Sequence, residues 1–585
     1  MIGLNLTGFM MVIRRLQRWM SSLSRRQRKL WQLLSLAGFF SCVAVAIYAL
    51  SLFLHNSPPP EQRANPVTAA ISAAAPVAQF PGKNCGSASG GPTDNPVAAK
   101  YGNDYSWTDE IKWDCVYNIT DFRKNTDIER FNAARDAAAA NGGGVVYFPA
   151  GEYNFEDNIY LKNGVVLRGD NPNVADAKSS GYAPRSRLVF PKYEPRLTGN
   201  GTPNDTAFKK IFTENPSGDS NIGLVNLDIN RAAIWIVGDA EGGKHRNLVV
   251  FGVRSNNVAE PDPQVPDVSF QDAWLRYSYR FATNIKLNGM ENILVANNRL
   301  NDAVTDSYEQ PGYKVKTADG KSVLTYGEGN KVPFSYTDHY GIVVNRSKSG
   351  GFALAATREV EPALFRRGIV IRDNWIYHTM RSAIHAAGDG LVIEGNQITD
   401  NPRKQAWAHP TGLKEPRGAA TFENRAIDWS GSNVRIVGNQ YQVYRHQIMS
   451  SHYLSTDGEG ILIQECCGGT LVKGAEVANN QGNSYIGFYK VRDMENVKIT
   501  GNRLLDNVSN SDLIFVVADT NNAPYGMKNV LIENNQVNGS ILVKGTAGGS
   551  GNVVRNNRGN NSGAIMVSCH VNVSGNTGFA VPPCQ

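Results

Sequence analysis

Val392-Ile393-Glu394-Gly395-Asn396, Val434-Arg435-Ile436-Val437-Gly438-Asn439 and Val530-Leu531-Ile532-Glu533-Asn534-Asn535 repeat one pattern. Each is a short apolar strand closed by a pair whose second member is Asn. The same Gly/Asn/Asp-Asn pair recurs at Asn374, Asn480, Asn502, Asn557 and Asn576. A spacing of 22 separates 374 from 396, 480 from 502 and 535 from 557, while 43 separates 396 from 439 and 41 separates 439 from 480. That is a one-turn repeat with longer excursions, the signature of a solenoid. Asparagine suits a tight left-handed corner, and stacked amides can bond along the solenoid axis. These asparagines therefore read as structure. Earlier rungs are expected at Ile222–Ile229, Asn247–Asn257 and Ile293–Asn298.

Upstream, Thr126 to Asn141 reads as a short helix. Thr126-Asp127-Ile128-Glu129 has the spacing of a capping box, and Asn141-Gly142 stops the helix. The glycine run at 142–144 leads into Val145-Val-Tyr-Phe-Pro-Ala-Gly-Glu-Tyr153 and, further on, Leu161-Lys-Asn-Gly-Val-Val-Leu-Arg-Gly-Asp-Asn-Pro172. This opening, over roughly residues 116–172, resembles that of the pectate-lyase-like superfamily of right-handed parallel β-helices. The resemblance implies an all-β fold, a right-handed parallel β-helix with an N-terminal capping helix. Lys124-Asn125-Thr126-Asp127 stands where the family usually carries an acidic run, so the resemblance implies fold rather than one activity. Arg168 and Asp170 belong to this cap motif and read as structural. Some family members use Ca²⁺. Asp338, Asp428 and Asp457 are carboxylates for such a site, but no loop has a calcium-binding spacing, so no cofactor is required and no metal ligand is assigned.

The two ends of the chain differ from its body. The formal charge of +7 resides in residues 1–29, which hold seven basic residues and no acidic one, leaving 52 basic against 52 acidic. A balanced body argues against nucleic acid as a partner. Leu30 to Leu54 is apolar and uncharged, long enough to cross a hydrocarbon core of about 30 Å, and the cationic flank places the N-terminus in the cytoplasm. The expected layout is a basic tail (1–29), a transmembrane anchor (30–54), a Pro/Ala/Gly-rich linker (55–105) and an exported β-helix (106–585), on a single-pass inner-membrane protein. Cleavage of the N-terminal segment is the alternative. Six cysteines lie beyond the apolar stretch, and export favours disulfides. Cys85 with Cys115, and Cys569 with Cys584, would staple the two ends; Cys466 and Cys467 either bridge each other or stay free.

Four further strands lie over one another: Asp338–Val344, Met380–Ala386, Glu423–Trp429 and Asp457–Ile463. Each carries Gly or Ala followed by Ile. With the Ile column inward, alternation puts Val343, His385, Asp428 and Leu462 outward, on rungs about 4.8 Å apart. His339 and Arg381 join that groove, as does a small outward column of Gly341, Ala383, Ala426 and Gly460. Arg425 and Glu459 fall at an inward register and read as an ion pair. The catalytic candidates are His385, Asp428, Arg381 and His339. Arg381 would neutralise a uronate carboxylate, and His385 or His339 would remove the acidified C5 proton. Asp428 would orient a histidine or act as an acid.

Long excursions (258–284, 302–337, 346–366, 401–422, 441–458) flank these strands and are rich in aromatics, Arg and His. Their face is the expected binding face. Substrate-binding candidates are Arg425, Arg445, His446, His452, Trp407 and Tyr340. The expected function is modification of an acidic polysaccharide by a lyase or epimerase. A two-carboxyl glycoside hydrolase and a non-catalytic glycan-binding scaffold are the alternatives.

Overall fold

The computed structural model describes residues 85, 88–192, 208–238, 244–258, 268–269, 282–301, 313–316, 323–326, 339–346, 358–359, 362–378, 382–400, 425–443, 459–464, 471–491, 493–505, 512–518, 526–545 and 549–584. The chain coils so that each turn adds one strand to each of three sheets, here A, B and C. Sheet A has 14 strands; another 24 divide between B and C. Every pairing within these sheets is parallel, and like stacks on like. Ile285, Ile342, Ile384, Ile427 and Ile461 form one in-register column of sheet C. Ile293, Ile369 and their successors line sheet A in the same way. These side chains are fully buried in one continuous core, and each contributes on the order of 1.5–3 kcal/mol by leaving water. The architecture is the parallel β-helix expected.

The Asn pairs turn the chain from sheet A into sheet B. The first member of each pair takes the left-handed backbone, as at Asp373, Gly395, Gly438, Asn479, Gly501, Asn534 and Asn556. The second member builds the ladder. Asn374 Nδ2 donates to Asn396 Oδ1 at 2.9 Å, Asn396 to Asn439 at 2.9 Å, and Asn439 to Asn480 at 3.0 Å. The run begins at Asn298 and ends at Asn576. Each Nδ2 also donates to a backbone carbonyl, such as Ile371 O for Asn396. A buried amide that bonds at every polar atom carries no desolvation penalty. A second left-handed set (Asn221, Asn247, Asn292, Asn433, Asn496 and Asn529) lies just before or within the first four residues of sheet A strands.

The helix Asp127–Ala140 caps the first turn. Its capping box is formed by Thr126 and Glu129, and Phe131 packs on Phe148 and Phe155 of the core. Both expected disulfides are present, Cys85–Cys115 and Cys569–Cys584; Cys466 and Cys467 lie outside the described residues. The described body begins before 106. Residues 88–105, which composition assigns to a linker, continue into a strap over the outer face of sheet A. Val97, Ile111 and Trp113 cover Val145, Val166, Val225, Val249 and Leu294, apolar side chains that water would otherwise meet. Polar contacts fix the strap along the coil: Asp94 pairs with the buried Arg168 at 2.8 Å, and the Tyr101 hydroxyl donates to Asp373 Oδ2 at 3.1 Å. The basic tail, the apolar stretch Leu30–Leu54 and the rest of the linker lie outside the described residues. Among the described residues no helix is long and apolar enough to cross a membrane.

Candidate functional site

Sheet C brings His385 and Asp428 side by side. The strands Ser382–Ala387 and Arg425–Ser430 pair with His385 opposite Asp428, and His385 Nδ1 lies 3.0 Å from Asp428 Oδ2. Arg425 Nη1 donates to the same carboxylate oxygen at 3.0 Å, and Arg425 Nε donates to Glu459 Oε2. Tyr340 sets its ring edge-to-face against His385, with centroids 5.4 Å apart. The Arg346 guanidinium lies over the Tyr340 ring, 4.3 Å from its centre. All of His385, Asp428, Arg425, Tyr340 and Arg346 are buried.

The alternation read from the sequence fails at one place, and the failure builds the site. Gly341, Ala383, Ala426 and Gly460 do not form an outward trough. Ala383 and Ala426 are part of the core. A Cβ on Gly341 would meet the Ile376 side chain at 3.0 Å, and one on Gly460 would meet the Tyr441 ring at 2.8 Å. The pairing register skips each small residue where the strand leaves the corner from sheet B, and the small residue turns into that corner beside the inward Ile. The residue before it is thereby released to the outer side. That residue is Tyr340, Ser382, Arg425 or Glu459 on successive rungs. Arg425 and Glu459 do pair as the sequence implies, but they do so with Asp428 on the outer face and not inside the coil.

The electrostatics follow from burial and from Arg425. Burial pushes the His385 imidazole below its ordinary value, against the pull of Asp428, and the Arg346 and Arg425 charges push the same way. Burial alone would raise Asp428, but Arg425 and His385 outweigh it and hold the carboxyl at about 2. An ionised Asp428 can only accept, so His385 Nδ1 carries the proton and donates it. Nε2 of the neutral ring is then the basic nitrogen. Arg425 bridges the two carboxylates, Asp428 and Glu459, while Arg346 lies over Tyr340. Because Arg425 pairs with both carboxylates, loss of either one leaves it a remaining partner, whereas loss of Arg425 would take this partner from both carboxylates.

The remaining candidates are placed less fully. His339 opens the strand His339–Val344, with its backbone opposite Ala282. Arg381, Trp407, Arg445, His446 and His452 lie outside the described residues, as do Asp338 and Asp457. Tyr340 is buried against His385 rather than presented to solvent. Two neighbours escaped the sequence reading. Arg346 directly follows an ordinary rung, Val343-Val344-Asn345, and nothing in its spacing marks it. Ser382 looks like a neutral strand residue, yet its buried hydroxyl has no hydrogen-bond partner among the described residues. Among the described residues no three His, Cys, Asp or Glu side chains are grouped as a metal site.

The coil, its asparagine ladder and its capped first turn define a parallel β-helix protein. Within that class the family model described as "Rhamnogalacturonase A/epimerase, pectate lyase-like" matches residues 118–258. No curated protein matches the sequence. Among solved structures, the chain is similar to PfbA, a surface adhesin of Streptococcus pneumoniae, at 14% identity over 80% of this chain and 93% of that one, with a TM-score of 0.36. It is similar to the A-module of the mannuronan C-5 epimerase AlgE6 of Azotobacter vinelandii at 14% identity, over 80% and 100%, with a TM-score of 0.35. It is also similar to the catalytic unit of a GH87 α-1,3-glucanase from Streptomyces thermodiastaticus at 13% identity, over 80% and 69%, with a TM-score of 0.36. At these identities and TM-scores none of the three bears on what this chain does.

Proposed function

We propose that the protein is a polysaccharide-modifying enzyme that removes the C5 proton of a uronate residue, with His385 as the base. The observation that carries this reading is the 3.0 Å contact between His385 Nδ1 and an ionised Asp428. It fixes the tautomer and leaves Nε2 as a base whose low affinity for protons keeps it in its working form near neutral pH. A cation beside the uronate carboxylate acidifies C5–H by stabilising the carbanion that proton loss leaves; Arg346, Arg381 or Arg425 supplies it. The C5 electron pair then forms a C4–C5 double bond as the C4–O bond breaks. The departing oxygen takes a proton from a second group, for which His339 is the candidate. Return of a proton to the opposite face of C5 gives epimerisation instead. Both described carboxylates of the cluster are tied to Arg425, and Asp428 is held ionised. Asp428 is therefore not set up as the protonated acid that two-carboxyl hydrolysis needs. The proposed setting is the cell envelope, with Leu30–Leu54 as the anchor and the coil exported.

The test incubates the full chain with polygalacturonate, alginate and neutral glycans in deuterated water. Absorbance of new C4–C5 double bonds, reducing ends and deuterium at C5 are followed together. Double bonds or C5 deuterium that fall at least about 100-fold in His385→Ala are the expected result. Reducing ends without either signal would sink the proposal in favour of hydrolysis.

A further inference from the structure

The residues that follow the ladder asparagines form a second column, on the outer face of sheet B. Arg299, Trp375, Gln397, Gln440, Gln481 and Arg503 stand opposite one another on successive rungs. Two positions on, Tyr377, Thr399 and Gln442 make a parallel column. Four of these rungs enclose an open groove of about 330 Å³, within the range of ligand sites, lined by Gln397, Thr399, Gln440, Gln442, Gln481 and Arg503.

Two amide ladders therefore run side by side, one residue apart in sequence, and they differ in one respect. The asparagines are buried and bond at each amide. Gln440, Gln442, Gln481 and Arg503 are exposed, and no side-chain hydrogen bond joins any of them, or Gln397, to another described residue. Each free amide offers two donors and an acceptor, the alternation that a row of sugar hydroxyls presents in return. On the rung before the groove, Trp375 and Tyr377 form an aromatic wall next to Gln397 and Thr399. Arg299 lies on one face of the Trp375 indole, 3.8 Å from its centre. Arg299 belongs to the rung before, so the other face is turned towards the rung of Gln397. Tyr377 extends this wall, nearly parallel to the indole at 7° with centroids 6.0 Å apart. From Trp375 to Arg503 is four rungs, about 19 Å, long enough for several sugar rings.

We propose that this groove is a second, non-catalytic glycan-binding site. It holds a segment of hydroxyl-rich polysaccharide against sheet B, with one ring against the Trp375–Tyr377 wall, while the chemistry takes place on sheet C. Other occupants fit less well. A peptide strand would need unpaired strand edges, but the strands lining this groove are already paired on both sides within the coil. A nucleic acid would need clustered cations, and among the described residues that line the groove Arg503 is the one cation. The inference rests on the reading of the substrate as a polysaccharide.

The test measures binding of polygalacturonate, alginate and xylan to the full chain carrying His385→Ala, which removes the proposed base. Adding Gln440→Ala with Gln481→Ala should raise Kd at least about 5-fold for a glycan that binds, with the thermal midpoint unchanged because both side chains are exposed. Gln442→Ala alone should give a smaller rise in the same direction. Unchanged Kd in the double variant, or no binding of any of the three glycans, overturns the site. Loss of binding in the double variant, with neither double bonds nor C5 exchange from any glycan in the unsubstituted chain, upholds the groove and overturns His385 as a catalytic base.

Discussion

The corner between sheets A and B and the outer face of sheet C both stack buried polar groups rung upon rung, yet they obey opposite rules. In the corner, one residue type repeats from Asn298 to Asn576, and every amide is satisfied by its neighbours and by the backbone. On sheet C, four adjacent rungs place Tyr340, His385, Asp428 with Arg425, and Glu459 together. No residue type recurs, and charge is gathered rather than avoided. A solenoid can propagate a neutral, self-complementary group indefinitely, because each rung offers what the next one needs. A charged group cannot be propagated, since like charges would face each other at about 4.8 Å. Departure from the repeat is therefore the physical mark of the site.

The largest expected effect breaks the corner. Asn439→Ala removes the acceptor of both Asn396 N–H and Asn396 Nδ2, and the donor to Ile393 O and Asn480 Oδ1. Several polar groups are left buried and unbonded. At about 1–3 kcal/mol for each such group, partly relieved by entry of water, a loss of about 3–5 kcal/mol is expected. Denaturant unfolding measures it. A loss below about 1 kcal/mol would show that the ladder is redundant. Activity at temperatures where the variant stays folded should be nearly unchanged.

The converse substitution is Asp428→Asn. It keeps the shape of the carboxyl and removes its charge. The carboxamide can donate to His385 Nδ1, which reverses the tautomer and takes the lone pair away from Nε2. Turnover should fall by about 10³–10⁴, while stability changes by less than for Asn439→Ala because Arg425 keeps Glu459 as its partner. Retained turnover in Asp428→Asn would remove the orienting role and leave the cluster as an ion-pair network.

The two regions were also unequally legible in the sequence. The corner was plain, because its period is carried by one residue type and repeats with few exceptions. The capping helix and both disulfides were legible for the same reason of local chemistry. The site was half legible. Register alone brought His385 opposite Asp428, since parallel pairing is set by the Ile column. Alternation then misplaced Arg425 and Glu459, because a period of two assumes an unbroken ladder and the pairing register skips Gly341, Ala383, Ala426 and Gly460. Arg346 was invisible, as it reaches Tyr340 from beyond the end of its rung. The strap was hidden by composition: Pro96–Tyr101 and the first residues of Gly102–Glu110, up to 105, look like linker until Val97, Ile111 and Trp113 are seen against the apolar outer face of sheet A.

The smallest expected effect separates the two regions by acid. Asparagine does not titrate in this range, so the ladder contributes no pH dependence of its own, whereas sheet C should contribute two steps of the same sign. The folded-state affinity of His385 for protons is lowered from 6.5. As pH falls below about 6.5 the unfolded chain takes up this proton before the folded one does, and stability drops until the folded imidazole also titrates. Asp428 is lowered from 3.8 to about 2, so its contribution is complete above about 4 and is lost as pH falls from 4 towards 2. It amounts to on the order of 2 kcal/mol. Other carboxylates titrate in the same interval, so the measurement is a difference: denaturant unfolding of the unsubstituted chain against Asp428→Asn, from pH 7 to the lowest pH at which both still fold. The gap between the two curves should narrow below about pH 4. A constant gap through that interval would mean that Asp428 is not held ionised by Arg425 and His385, and the tautomer assigned to His385 would lose its basis.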